Sequence, residues 1–162
     1  MRIGVYPGSF DPFTIGHLDV LKSAVGLFDV IYVAVLNNSA KHPVFSVEER
    51  QEMIIKAVSE EHLENVRCGV FDGLLVDYAA SVGASYIIRG IRTTTDFEYE
   101  FQINALNRHL SESIRTVCFM ASPGHSFLSS SNVKEIGQYG GSIEGLVPQC
   151  NEYFIRERLA RQ

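Results

Sequence analysis

Residues 29–36 read Asp29-Val30-Ile31-Tyr32-Val33-Ala34-Val35-Leu36, a nearly unbroken apolar run. A strand with one wet face alternates polar and apolar side chains. A run without alternation fits a strand covered on both faces, as in a parallel sheet flanked by helices. Outward from it toward the N-terminus, residues 16–28 predict a helix with Leu18, Leu21, Val25 and Phe28 on one face. A β-prone run at residues 2–6 precedes that helix and is stopped by Pro7-Gly8. Toward the C-terminus, a polar loop at 37–45 leads to Ser46-Val47-Glu48-Glu49, a capping box that starts a helix reaching about residue 59. The pattern then repeats. A strand at 66–71 precedes a helix at 73–82. A short strand at 85–88 ends at Arg89-Gly90. The helix at 96–110 is expected to turn Phe97, Phe101, Ala105 and Leu110 to the core. A strand at 114–120 precedes a helix at 131–139, broken by Gly140-Gly141, and a final helix covers 147–159. Strict alternation of strands and helices predicts an α/β fold, a doubly wound parallel sheet of five strands, in a single domain spanning 1–162.

Composition excludes several alternatives. The 162 residues are 46% apolar and 20% charged, ordinary globular usage, which rules out disorder, collagen-like repeats and coiled coil as the main architecture. Fourteen Lys and Arg against nineteen Asp and Glu give a net charge of -5, without the basic surplus of a general nucleic-acid binder. Cys68, Cys118 and Cys150 are far apart and odd in number, so no disulfide framework or structural zinc site is expected. The longest apolar run has seven residues, Val30 to Leu36, far short of a membrane span. No hydrophobic targeting segment is visible at the N-terminus, and a cytoplasmic location is expected.

In a doubly wound sheet, ligands bind beyond the carboxyl ends of the strands. The residues that follow each strand are therefore the candidates. After the first comes Tyr6-Pro7-Gly8-Ser9-Phe10-Asp11-Pro12-Phe13-Thr14-Ile15-Gly16-His17. This is neither GxGxxG nor a P-loop. It does place His17 in the first turn of a helix, where free N–H groups suit phosphate and the positive potential favours a neutral, donating imidazole. The second strand is followed by Lys41, the fourth by Arg89-Gly90-Ile91-Arg92, whose guanidinium groups can fork around phosphate oxygens or pair with Asp96, Glu98 or Glu100. After the fifth, Gly124 to Lys134 carries Ser129-Ser130-Ser131 at a helix start, which can cap the helix or bind a second phosphate group. A cationic edge in an acidic protein describes a pocket for a ligand with several phosphates. No serine triad, carboxylate pair or zinc spacing accompanies it.

These stretches resemble a known family. Thr14-Ile15-Gly16-His17 matches the (H/T)xGH signature of the nucleotidyltransferase superfamily. YPGSFDP, Lys41, FSVEER, IIRGIRTTTDFEYEFQINALNRHL and SFLSSSNVKE, in that order, are similar to the bacterial phosphopantetheine adenylyltransferases along the whole chain. The resemblance implies a Rossmann-like domain. It implies transfer of AMP from ATP to 4′-phosphopantetheine, giving dephospho-coenzyme A and pyrophosphate, with magnesium (Mg2+) carried by the ATP phosphates. It also implies a homohexamer and feedback inhibition by coenzyme A. By position, His17 is the catalytic residue that stabilises the transition state. Ser9, Lys41, Leu75 and Arg89 match the phosphopantetheine-binding positions. Ser9, Phe10, His17, Gly90, Ile91, Arg92, Glu100 and the run His125, Ser126, Phe127, Leu128, Ser129, Ser130 and Ser131 match the ATP-binding ones. His42 stands where relatives often have a second lysine. The apolar Leu74-Leu75 suits an uncharged pantetheine arm. Rival readings are a cytidylyl or nicotinate-mononucleotide transferase, a non-catalytic nucleotide sensor, and an interaction module that would leave the cationic edge unexplained.

Overall fold

A computed structural model describes residues 1–37 and 42–161. Five strands, β1 (Ile3–Gly8), β2 (Val30–Leu36), β3 (Val66–Phe71), β4 (Tyr86–Ile91) and β5 (Arg115–Met120), form one parallel sheet in the order β3-β2-β1-β4-β5. The helices are α1 (Ile15–Ala24), α2 (Val47–Glu60), α3 (Leu75–Ser81), α4 (Thr94–Leu110), α5 (Ser130–Gln138) and α6 (Gln149–Leu159). A short 3-10 turn, Pro123–His125, links β5 to α5. No helix among the described residues is long and apolar enough to cross a membrane.

The unbroken apolar reading of β2 has its reason in two cores. Ile31, Val33 and Val35 enter a large core with α1, α2, α5 and α6, while Ala34 enters a second core with Val5, Ile87 and the α3 residues Val76 and Ala79. Both faces of the strand are dry, so neither needs a polar residue. The α2 capping box forms as expected: the Glu49 N–H donates to Ser46 Oγ at 3.2 Å, and the Ser46 N–H donates to Glu49 Oε2 at 2.9 Å.

β1 is not stopped by Pro7-Gly8 but includes both, paired with Ala34 and Val35 of β2, and α1 ends at Ala24, short of Val25 and Phe28. Two further expectations need correction. β4 does not stop at Ile88. Its ladder with β5 continues through Arg89↔Cys118 and Gly90↔Phe119 to Ile91↔Met120, so Arg89 and Gly90 lie in the strand. The other concerns α4. Phe97, Phe101, Ala105 and Leu110 face outward, with Phe101 66% exposed, and the buried residues of the helix are Glu100 and Asn107. The spacing was sound but its sign was reversed. Polar side chains turn inward because a polar cavity lies beneath them.

The sheet changes direction between β1 and β4, and there the pairing gives out. β1 pairs with β2 over six residues, but with β4 only at Gly4↔Tyr86 and Val5↔Ile87. Pro7 has no N–H to donate, so it cannot extend a ladder on both sides. Beyond Val5 the two strands part and leave a crevice at their carboxyl ends.

Candidate active site

The crevice opens into two cavities that share Pro7, Gly8, Arg89 and Glu100. One, of about 260 Å³, is walled by Phe10, Thr14 and His17, by Gly90 and Arg92, and by His125, Leu128, Ser129 and Ser130. The other, of about 420 Å³, is walled by Ser9, Leu36, Leu75, Ile87 and the α4 residues Tyr99, Ile103 and Asn107.

His17 is fixed by its own helix cap. Thr14 is the N-cap of α1, and its Oγ1 accepts from the His17 N–H at 3.3 Å. The Thr14 N–H in turn donates to His17 Nδ1 at 3.0 Å. An acceptor nitrogen carries no proton, so the ring proton sits on Nε2. Phe10 meets the imidazole edge-on at 5.1 Å between centroids and Phe13 stacks at 5.6 Å. Burial above all, then the charges of Arg92 and Arg89, pull the His17 pKa down to about 3. The expected neutral donor is present, but desolvation and two arginines make it so. The helix terminus mattered through its cap. Phe10 adopts a positive φ of 50°, and a Cβ on Gly8 would lie 2.8 Å from its ring. Burial holds the Tyr6 phenol in the same cavity well above its ordinary pKa, against the lowering charges of Arg89 and Arg92.

Both arginines border the cavity and both carry a carboxylate partner. Arg89 donates to the Pro7 carbonyl at 3.2 Å and pairs with Glu100, bridging the parted strands to α4. Glu100 Oε2 is buried without a partner. Arg92 holds Asp96 through Nε at 3.0 Å and donates to the Leu128 carbonyl at 2.8 Å. That bond ties β4 to the start of α5.

The serine run divides its tasks. Ser129 caps α5 by accepting from the Asn132 N–H at 3.1 Å. Ser130 donates to the Pro12 carbonyl at 2.8 Å. Ser131 borders a recess of about 310 Å³ beside the two cavities. Ile91, Ser126 and Phe127 line none of the three. Ile91 is buried, and Phe127 points to solvent at 62% exposure. Lys41 lies outside the described residues, while His42 borders the recess.

The recess contains residues given no role from sequence. Arg50 is 3% exposed and donates to four backbone carbonyls, of Phe45, Ser46, Ser9 and Leu36, which locks the loops after β1 and β2 together. Asp11 accepts from the Phe45 N–H at 2.9 Å and the Val44 N–H at 3.2 Å, and from Lys134 at 2.9 Å. The motifs FSVEER, GSFDP and NVKE contain all three, yet their partners are distant in sequence and mostly backbone. The three cysteines are free thiols.

Comparison with known proteins agrees with this geometry. Residues 5–136 match the cytidylyltransferase-like family. A phosphopantetheine adenylyltransferase of Caldanaerobacter subterraneus subsp. tengcongensis is 50% identical over 159 residues, covering 98% of this chain and 96% of that protein. Two solved structures share the fold. One, from Vibrio parahaemolyticus and provisionally named a nicotinate-nucleotide adenylyltransferase, has a TM-score of 0.72 at 16% identity, covering 100% of this chain and 97% of the other. The other, a lipopolysaccharide core biosynthesis protein of Thermoplasma volcanium GSS1, has a TM-score of 0.53 at 22% identity over 75% of this chain and 97% of its own.

Proposed function

The chain belongs to the phosphopantetheine adenylyltransferases within the cytidylyltransferase-like nucleotidyltransferases, and we propose that it joins ATP and 4′-phosphopantetheine by in-line displacement at the α-phosphate, with no covalent enzyme intermediate. The observation that carries this reading is the pair of cavities meeting at Pro7, Gly8, Arg89 and Glu100. ATP occupies the cavity that His17 borders, with its phosphates toward α5. The pantetheine arm lies in the cavity walled by Leu75 and α4. The acceptor phosphate then meets the α-phosphate at the shared wall.

The acceptor phosphate is largely ionised near neutral pH, so no general base is needed. The protein aligns two anions and stabilises the charge that builds between them. A neutral His17 with its proton on Nε2 donates to an α-phosphate oxygen as that charge develops. Arg92 and the N-terminus of α5 hold the nucleotide, while Ser9, Arg89 and Lys41 hold the acceptor phosphate. Magnesium carried by the ATP phosphates would supply further positive charge there, beside the donors that Arg92 and the N-terminus of α5 provide. We extend the reading to a cytoplasmic homohexamer inhibited by coenzyme A. The outward stripe of α4, with Phe97, Phe101, Leu106 and Leu110, supports self-association.

The test is pyrophosphate release with ATP, magnesium and 4′-phosphopantetheine, run beside CTP and nicotinate mononucleotide as alternative substrates. Release with ATP and phosphopantetheine alone is expected. Release only with CTP or with the mononucleotide would replace this reading by one of those rivals, and ATP binding without release would favour a sensor.

A further inference from the structure

Asp19 sits in α1 two residues beyond His17, and no step above uses it. Its carboxylate reaches the turn that follows β5. Oδ2 accepts from the Ser122 backbone N–H at 3.0 Å and Oδ1 from the Ser122 hydroxyl at 2.9 Å. Oδ2 also lies 3.6 Å from Nδ1 of His125. That nitrogen is buried with no hydrogen-bond partner, while the half-buried ring borders the nucleotide cavity. Burial works against a charge on Asp19, but the Ser122 hydrogen bonds and the nearby His125 together hold the carboxyl below its ordinary range, so it is ionised at neutral pH. The imidazole nitrogen that faces a carboxylate is the one that carries the ring proton, because a lone pair there would be repelled. Nε2 on the far side of the ring then keeps its lone pair and is an acceptor.

We propose that Asp19 is a positioning residue for the base of the nucleotide: it clamps the turn at residues 122–125 to α1 and holds His125 as the Nδ1–H tautomer, so that Nε2 meets the exocyclic amino group of adenine. This rests on the nucleotide reading of the cavity and not on the identity of the acceptor. One helix thereby sets both ends of the nucleotide. Its first turn presents His17 as a donor toward phosphate, and the residue two positions on makes His125 an acceptor toward the base. The two imidazoles are held in opposite tautomers, each by the partner of its Nδ1.

The test compares ATP with inosine triphosphate, which has an oxygen in place of the amino group. Binding is read by calorimetry without acceptor on wild type, Asp19→Asn and His125→Ala, with KM for both substrates measured alongside. Wild type is expected to bind ATP about tenfold tighter than inosine triphosphate, the scale of one well-placed hydrogen bond. Both variants should lose most of that preference by weakening ATP alone, and the KM for phosphopantetheine should move less than threefold. Equal affinity of wild type for the two nucleotides, or an undiminished preference in the variants, overturns the proposal. So does a parallel rise of both KM values in Asp19→Asn, which is what a merely structural carboxylate would give. Should Asp19→Asn fail to fold, the half-exposed His125→Ala decides. ATP binding without adenylyl transfer would sink the proposed reaction and leave this inference standing. No ATP binding at all would overturn it.

Discussion

Helices α1 and α4 flank the same crevice and are built in opposite senses. α1 buries Leu18, Val20, Leu21 and Ala24 and brings His17 to the cavity from a side-chain cap only three residues long. α4 buries Glu100 and Asn107 and leaves Phe97, Phe101, Leu106 and Leu110 outside, with Leu106 60% exposed. Hydrophobic burial within one protomer therefore fixes α1. It does not fix α4, which is held from inside by polar contacts such as Arg89 with Glu100. The His17 side of the crevice is set by the burial of α1, while the α4 side has a wall whose apolar back is exposed.

The sharpest way to break this contrast is His17→Ala. If the imidazole acts in the transition state, kcat should fall by about 10²–10³, as for the loss of one oxyanion donor, while ATP affinity changes only a few-fold. Turnover within threefold of wild type would remove His17 from the chemistry. Next in size is the outer face of α4. Phe97→Asp combined with Phe101→Asp should lower the assembly mass in sedimentation. Because α4 carries Tyr99, Ile103 and Asn107 of the acceptor wall, the KM for phosphopantetheine should rise by roughly tenfold, the range of one or two lost contacts. An unchanged mass would mean that the stripe covers nothing.

The contrast also separates what the sequence makes legible from what it hides. The strands, the α2 capping box and the convergence of His17, Arg89 and Arg92 follow from local pattern and topology, because period and strand ends are local properties. The orientation of α4 was hidden, since an apolar stripe looks alike whether it faces a core or another protein. Arg50 was hidden for another reason: its four acceptors are carbonyls of the segments that follow β1 and β2, and carbonyls have no sequence signature. The parting of β1 from β4 was half visible, as Pro7 was read as the end of a strand and not as the start of a gap.

Smaller effects refine the α1 side. Thr14→Ala deletes the N-cap acceptor and should cost about 1 kcal/mol in denaturant unfolding. The last concerns acid. The folded His17 titrates near 3 against an ordinary 6.5, so between those values the unfolded chain binds the extra proton. The contribution is fully present above pH 6.5 and is lost as pH falls toward 3. Wild-type stability should therefore decline more steeply from pH 6.5 to 4 than that of His17→Gln, by at most about 1.4 kcal/mol per pH unit. Parallel curves would show that the imidazole is not held neutral.

The crevice beyond Val5 and Ile87 has a kinetic consequence. β1 and β4 pair only at Gly4↔Tyr86 and Val5↔Ile87, and Pro7 has no N–H with which to extend that ladder. Nucleotide arrival therefore requires no strand to unzip. Association should be a single bimolecular phase whose rate rises linearly with ATP concentration, without the plateau that a slow opening step imposes, and it should weaken with salt because the attraction is of a polyanion to Arg89 and Arg92.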